Sequence, residues 1–166
     1  LTQLLGRTGS ARASKVLRSL ALSPDSQVRG AAIASLGLIG SAGQDTFLMS
    51  LLDDERAEVR LAAAMSLSKT ASGTSAPELF RRLTQASEQD RGSIGIALSG
   101  AMARSQDDAL VARVRDVVQQ VEGANRDVLI EGLGRMGTVS AYALLEQISR
   151  SANSDDRRKV AESLGV

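Results

Sequence analysis

The stretch SPDSQVRGAAIASLGLIG, residues 23–40, recurs in the same register as DERAEVRLAAAMSLSKTA, residues 54–71. In both segments a Val-Arg pair follows at least one acidic residue, and a leucine stands seven positions after the arginine. Apolar residues spaced by three and four positions predict an amphipathic helix. A period of 20–50 residues is typical of repeat architectures, so these two segments predict a tandem array of helical units.

The same register continues through the chain in three columns of residues. The first leucine column contains Leu5, Leu36, Leu67, Leu98, Leu133 and Leu164, and the second contains Leu17, Leu48, Leu79, Leu110 and Leu145. Seven positions before the last five leucines of the first column stand Arg29, Arg60, Arg91, Arg126 and Arg157. The spacing is constant except between Leu98 and Leu133, where four extra residues are expected to lengthen a helix by about one turn.

Capping residues also recur between the predicted helices. The expected N-caps are Ser10, Ser41, Ser72 and Thr138. The glycines expected just past helix ends are Gly9, Gly40 and Gly137. Each unit is therefore predicted to contain two helices separated by turns.

The segment GLGRMG, residues 132–137, has the Gly-x-Gly-x-x-Gly spacing of dinucleotide-binding folds. That fingerprint requires glycines that follow a strand and open a helix, whereas Gly137 falls at a predicted helix end. Gly132 and Gly134 belong to columns of small residues on the two flanks of the helix. We therefore expect them to allow close packing of neighbouring helices and not to bind a nucleotide.

Composition excludes several kinds of chemistry. The chain has 166 residues, a net charge of +1, and no cysteine, histidine or tryptophan. Disulfides, thiolate nucleophiles, histidine-dependent acid–base pairs and His/Cys metal sites are thus impossible. Carboxylates cluster at 53–55, 107–108 and 155–156, where they are expected to stabilise helix starts. We predict a protein without catalytic residues, metal ligands or cofactors, and not an enzyme.

The repeated unit resembles the short HEAT-like repeat, a form also found in the phycobilisome lyase group. The resemblance rests on the Asp, Val-Arg, Ala, Leu pattern of residues 23–40 and 53–70, and Asp90, Asn125 and Asp156 replace the valine in later units. It implies an all-α, right-handed α-α superhelix of about five and a half helical-hairpin repeats. The expected boundaries are a helix tail at 1–8 and repeats at about 10–40, 41–71, 72–103, 104–137 and 138–166. Neither end carries the polar cap of a solenoid, so we expect a segment of a longer protein.

The resemblance also implies roles for the second helix of each pair, which carries the Val-Arg motif and lines a concave face. Its arginine is expected to belong to a structural ladder and to pair with an acidic residue near the preceding turn. The expected pairs are Arg29 with Asp25 and Arg60 with Asp54.

Positions one, five and nine after each arginine lie opposite the core side of the second helix. We predict that they bind a protein partner through Leu38, Leu61, Met65, Lys69, Ile96, Asp127, Glu131 and Arg135. The alternative is that superhelical curvature or further repeats cover these side chains. The predicted function is a non-enzymatic scaffold for protein–protein interaction.

Two other functions stay open at this point. One is a subunit of a lyase-like or assembly enzyme complex, and the other is an auxiliary nucleic-acid-binding domain. The segment from Leu1 to Gly30 carries one aspartate against a group of basic residues, namely Arg7, Arg12, Lys15, Arg18 and Arg29. Balanced total charge and the scarcity of aromatic residues argue against nucleic acid. The sequence has no apolar run that is long enough to predict a membrane span. The default location is the cytoplasm, with a removed targeting segment left open.

Overall fold

The chain is all-helical in a computed structural model that describes residues 11–39, 42–121, 123–151 and 154–165. Within these ranges it forms ten α-helices and no strand. The chain divides into two compact units, Leu1–Ser72 (unit 1) and Gly73–Val166 (unit 2). The all-α fold of helical repeats predicted from the sequence is confirmed. The handedness of the superhelix and the number and boundaries of the repeats stay predictions.

Unit 1 contains two consecutive pairs of helices. Its helices are α1 (Ala11–Leu20), α2 (Ser26–Ile39), α3 (Ala42–Ser50) and α4 (Ala57–Thr70), with a 3-10 turn at Leu51–Asp53. We call α1 and α3 first helices and α2 and α4 second helices. Each first helix packs on its own second helix, and the two second helices pack on each other. The fully buried side chains of this core include Leu17, Ile33, Leu36, Leu48, Leu52 and Leu67.

Unit 2 repeats this arrangement after a 3-10 turn at Gly73–Ser75. Its helices are α5 (Ala76–Gln85), α6 (Glu88–Met102), α7 (Asp108–Val118), α8 (Ala124–Met136), α9 (Val139–Ser151) and α10 (Ser154–Leu164). The second helices α6, α8 and α10 pack side by side, α6 on α8 and α8 on α10. The fully buried side chains here include Leu79, Leu98, Met102, Leu110, Leu129 and Ile130.

Both predicted leucine columns form the core. Every member of the second column is fully buried, as are Leu36, Leu67, Leu98 and Leu133 of the first. Leu164 is 43% exposed, and Leu5 lies outside the described residues. Because the column leucines are buried at equivalent places in successive helix pairs, the repeat period of the sequence corresponds to helices that pack in one register.

Neighbouring second helices approach closely where the sequence places small residues. A Cβ built on Gly37 of α2 would lie 2.9 Å from the Ser66 Cβ of α4, and one built on Gly134 of α8 would lie 2.5 Å from the Ser163 carbonyl oxygen of α10. The sequence offset within the two pairs is the same. The predicted packing role of these columns is confirmed.

The insertion changes this offset between α6 and α8. A Cβ built on Gly95 would lie 2.9 Å from the Val128 Cγ2, and the offset between these two residues is larger by the four inserted positions. The helices therefore keep the same register across the insertion.

The GLGRMG segment ends α8, which excludes the dinucleotide fingerprint. Gly137 has φ 65° at the C-cap, the left-handed conformation that glycine adopts readily. Thr138 caps α9 as predicted, because its Oγ1 accepts from the Ala141 N–H at 3.3 Å. Gly132 faces Met102 of α6.

The predicted N-cap at Ser72 was wrong, because no α-helix begins next to it. The 3-10 turn Gly73–Ser75 follows Ser72, and α5 begins only at Ala76. The Ser72 N–H and Oγ donate to the Oδ2 of the buried Asp45 at 2.9 and 3.2 Å. Ser10, Ser41, Gly9 and Gly40 lie outside the described residues.

The four inserted residues lengthen α7 by less than the predicted turn. This helix ends eight positions after Leu110, whereas α5 ends six positions after Leu79. Gln119, Gln120 and Gly123 after this helix lie in turns, and Gly123 has φ 59°. The Arg126 Nη1 donates to the Val118 carbonyl at the end of the helix.

Alanine substitution of Gly134 tests the close packing of second helices. We expect Gly134→Ala to lower the free energy of unfolding by about 1–3 kcal/mol, because the new Cβ meets main-chain atoms of Ser163 that cannot move aside cheaply. Gly92→Ala is the matched control, since nothing lies within 4 Å of a Cβ built there. It should raise that free energy by about 0.5–1 kcal/mol through helix propensity. Urea unfolding followed by circular dichroism measures both, and equal effects would contradict the packing role.

Candidate functional site

The arginine column is a structural feature of the turns in unit 1. Arg29 is 4% exposed, and its Nη1 donates to the carbonyl oxygens of Ser23 at 2.7 Å and Pro24 at 3.3 Å. Arg60 is 6% exposed and donates in the same way to the carbonyls of Asp54 at 2.8 Å and Glu55 at 3.0 Å. A turn after a helix leaves carbonyls without helical partners, and these arginines satisfy them.

The expected pairing of each arginine with a preceding aspartate was wrong. Arg29 forms its ion pair with Glu58 of the next second helix, with 2.8 Å between Nη2 and Oε1. The Asp25 carboxylate instead caps α2 by accepting from the N–H groups of Gln27 and Val28. Short polar side chains just before a helix commonly bond its free N–H groups, which leaves Asp25 unavailable to Arg29.

Asp54 is bound by its near neighbour and not by the column arginine. Its two carboxylate oxygens accept from the Nε and Nη2 of Arg56, each at 2.8 Å, and Oδ1 also accepts the Arg56 N–H. These side-chain hydrogen bonds from Arg56 lower the pKa of Asp54 from 3.8 to about 2. The pKa of Glu58 is also lowered, by its own backbone N–H and by Arg29.

In unit 2 the column becomes less buried. Arg91 is exposed and donates from Nε to the Ala86 carbonyl at 3.2 Å. Arg126 is partly buried and contacts the Val118 carbonyl, whereas Arg157 is exposed. The carbonyl contact thus persists at Arg91 and Arg126, and the guanidinium groups become more accessible.

The predicted partner-binding residues of unit 1 lie on the solvent-exposed sides of its second helices. Leu38 is 62% exposed, Leu61 45% and Met65 49%, and Lys69 is exposed as well. Gly37 of α2 and Ser66 of α4 approach each other closely. Leu38 follows Gly37, and Met65 precedes Ser66. We call Leu38, Leu61, Met65 and Lys69 the α2–α4 surface.

The predicted partner-binding residues of unit 2 have a different character. Ile96 of α6 is 40% exposed. Glu131 and Arg135 of α8 form an exposed ion pair at 2.7 Å, and Asp127 lies 3.8 Å from the Lys159 Nζ of α10. This part of the prediction therefore contains one apolar side chain and three charged groups with partners in their own unit.

The basic residues near the start of the chain have distinct environments. Arg18 donates from Nε to the Gln44 Oε1 at 3.2 Å and lies over the Phe47 ring, 5.3 Å from its centroid. Arg29 is buried, and two other basic residues, Arg12 and Lys15, are exposed. Arg7 lies outside the described residues.

Two kinds of surface were not predicted. Val16, Leu22, Val139 and Tyr142 are exposed apolar or aromatic residues outside the second helices. Unit 2 also contains a cavity of about 380 Å³ beside Arg91. The break in the repeat period was the signal that could have located this cavity.

The carboxylate cluster at 107–108 has the predicted role. Asp107 caps α7 through a hydrogen bond from the Ala109 N–H at 2.9 Å. Within the described ranges no group of three or more His, Cys, Asp or Glu residues could hold a metal ion. None of the helices in these ranges is long and apolar enough to cross a membrane.

A comparison of variants at Arg29 and Glu58 separates the carbonyl contacts of Arg29 from its ion pair. Arg29→Met keeps an apolar stem but leaves the Ser23 and Pro24 carbonyls without this donor, so we expect a loss of about 2–4 kcal/mol in the free energy of unfolding. Glu58→Gln should cost much less, because the Glu58 side chain is 59% exposed. Similar losses in urea unfolding would show that the ion pair, and not the turn, makes the larger contribution.

The lowered pKa of Asp54 predicts loss of stability in acid. A group whose pKa is lower in the folded state stabilises the fold above its unfolded pKa, and this contribution is lost as the pH falls. We expect it to disappear between about pH 4 and pH 2, the two values for Asp54. Asp54→Asn should flatten this part of the stability–pH curve, and Asp116→Asn, an exposed change on α7, should not. Identical curves for all three proteins would contradict the assignment.

Comparison with known families agrees with this geometry. The family model of HEAT repeats matches residues 1–68, which contain α1 to α3 and most of α4. Comparison with curated proteins gave no match. HEAT repeats generally mediate protein–protein interaction, and proteins of this family are typically non-enzymatic scaffolds. The matched segment supports a HEAT-like repeat protein, because residues 1–68 are similar to HEAT repeats and the helix pairs that follow continue the same columns.

Proposed function

We propose that the chain is a non-enzymatic scaffold that binds a segment of a partner protein through its second helices, chiefly on the α2–α4 surface. The observation that carries this proposal is the set of three large apolar side chains, Leu38, Leu61 and Met65, each 45–62% exposed. They project from helices whose opposite sides already form the core of unit 1. Exposed apolar side chains on such helices are a feature that partner segments commonly use.

The location of these side chains supports a bound segment. Gly37 and Ser66 bring α2 and α4 together, so Leu38 and Met65 stand on either side of a closely packed seam. Burial of apolar surface there contributes about 25 cal/mol per Å², and a few anchors of this size usually dominate the affinity of an interface. A partner segment that carries regularly spaced apolar side chains suits this arrangement.

The edge of the surface favours a partner with an acidic group. Lys69 is exposed at the C-terminal end of α4, nine positions after Arg60. Ala34 is exposed one turn before Leu38 and leaves room for the partner backbone. The proposed segment therefore places apolar side chains on Leu38, Leu61 and Met65 and a carboxylate near Lys69.

Unit 2 contributes contacts of its own in this proposal. Ile96 is the apolar position, and Asp127, Glu131 and Arg135 are the charged ones. Since the charged groups already form ion pairs at 2.7 and 3.8 Å, we expect them to affect the choice of partner more than the affinity. The proposed location is the cytoplasm.

Substitution of the α2–α4 surface should weaken binding of the partner strongly. The test variant is Leu38→Asp, Leu61→Asp, Met65→Asp, and we expect affinity for a partner captured from the source lysate to fall at least about tenfold. The matched control is Val16→Asp, Leu22→Asp, which also changes exposed apolar residues of unit 1. Affinity is measured by calorimetry with the purified partner, after circular dichroism has shown both variants to be folded.

A photo-crosslinking amino acid locates the contact independently. Placed at Met65 it should form a crosslink with the partner, and placed at Leu22 it should not. Partner binding that is unchanged by the triple substitution would refute the α2–α4 surface as the main contact. Crosslinks from Leu22 alone would place the contact beside the first helices and refute the proposal as well.

A further inference from the structure

Unit 2 contains a cavity where the repeat pattern is interrupted. It has a volume of about 380 Å³, within the range of small-molecule sites. Its apolar wall includes Phe80, Leu83, Val121 and Leu129, and its polar groups include Arg91 and Asn125. Phe80, Leu83 and Leu129 are buried, so this wall is part of the packed core and not a loose surface loop.

Described residues in and beside the longer connection between α7 and α8 form one side of this cavity. The chain leaves α7 at Val118 and enters α8 at Ala124, whereas only Ala86 and Ser87 separate α5 from α6. Val121 and Asn125 lie in or beside the longer turn and line the cavity. The longer connection thus contributes side chains to the cavity wall, whereas the two-residue connection between α5 and α6 is too short to do so.

Arg91 stands at this cavity without a carboxylate at the place from which Glu58 reaches Arg29. Arg29 pairs with Glu58 of the neighbouring second helix, at the offset that also joins Gly37 to Ser66. Between α6 and α8, which the insertion separates, the equivalent sequence offset is the larger one that joins Gly95 to Val128. Counted from Arg91, this offset leads to Ala124, which has no charge.

The guanidinium of Arg91 is positioned for an external anion. Its Nε donates to the Ala86 carbonyl at 3.2 Å, which fixes the stem. In the part of the chain that the structure describes, Arg91 forms no ion pair, and its side chain is exposed and lines the cavity. Guanidinium groups bind carboxylates with two parallel hydrogen bonds. The N–H groups of Arg91 that do not contact Ala86 are therefore suited to bind a carboxylate.

We propose that this cavity binds a small molecule that has one carboxylate and an apolar body. The carboxylate pairs with Arg91, the Asn125 amide supplies a further hydrogen bond, and the apolar body packs on Phe80, Leu83 and Val121. A free phosphate lacks the apolar part that this wall requires, and a neutral hydrocarbon leaves Arg91 unused. The site is independent of the α2–α4 surface and of the scaffold function.

Octanoate, 1-octanol and inorganic phosphate are the probes for this site. Calorimetry should show binding of octanoate, with 1-octanol and phosphate at least about tenfold weaker. The backbone amides of Val121 and Asn125 should shift in NMR spectra on addition of octanoate. Equal binding of octanoate and 1-octanol would overturn the role of Arg91, and unshifted amides would overturn the location.

Two variants test the charge argument with a matched control for each. Ala124→Glu gives Arg91 the counter-ion that Glu58 gives Arg29, and Arg91→Gln removes the cation. Each should weaken octanoate binding at least about fivefold. Ala109→Glu adds the same charge at the start of α7, and Arg81→Gln removes an exposed arginine of α5 that is paired with Glu78, so both should bind octanoate normally.

The outcomes separate this site from other occupants. Unchanged octanoate binding in Ala124→Glu, with the fold intact by circular dichroism, would overturn the proposal even if Arg91→Gln failed to fold. A peptide with a free C-terminal Leu-Phe that binds at least about tenfold more tightly than octanoate would overturn the small-molecule assignment in favour of a peptide terminus. Failure of this site would leave the partner contact on α2 and α4 untouched.

Discussion

The close approach of neighbouring second helices is the contact on which the other features of each unit depend. It requires small side chains, and Gly37 against Ser66 and Gly134 against Ser163 supply them. Because helices pack in discrete registers, this contact fixes which residue of one helix faces which residue of the next. The offset that joins Gly37 to Ser66 also joins Arg29 to Glu58. One steric constraint therefore sets both the packing of α2 on α4 and the ion-pair partner of Arg29.

The part of the fold that depends on spacing could be predicted from the sequence. Leucines that recur with the repeat period must occupy equivalent places in successive units, and Leu36, Leu67 and Leu98 are fully buried as that argument requires. The glycines of GLGRMG were assigned to a helix end and two packing flanks for the same geometric reason. Exposure of the apolar residues of the α2–α4 surface also follows from helical periodicity, since they stand opposite the buried side.

The part that depends on a choice between chemically similar partners could not be predicted. Arg29 had Asp25, Glu58 and several carbonyl groups within possible reach. Asp25 caps α2 instead, and the packing of α2 on α4 brings Glu58 to Arg29. Likewise, the valines after Leu110 continue an apolar pattern through Val121, but the helix ends at Val118, whose carbonyl accepts from an arginine of α8. The local pattern determines which side of α7 is buried, but it did not predict where α7 stops.

The seam between α2 and α4 also limits how anchor residues could be spaced in the partner segment that we propose to cross it. Packed helices lie about 8–10 Å apart, and an extended chain advances about 3.3 Å per residue. A segment that runs across the seam in extended form therefore meets the next helix about every third residue, whereas a helical segment advances only about 1.5 Å per residue and needs nearly two turns for the same step. Side chains of an extended chain alternate in direction, so consecutive anchors three positions apart would point to opposite sides. This mismatch favours a helical ligand, whose residues i and i+7 point the same way about 10 Å apart.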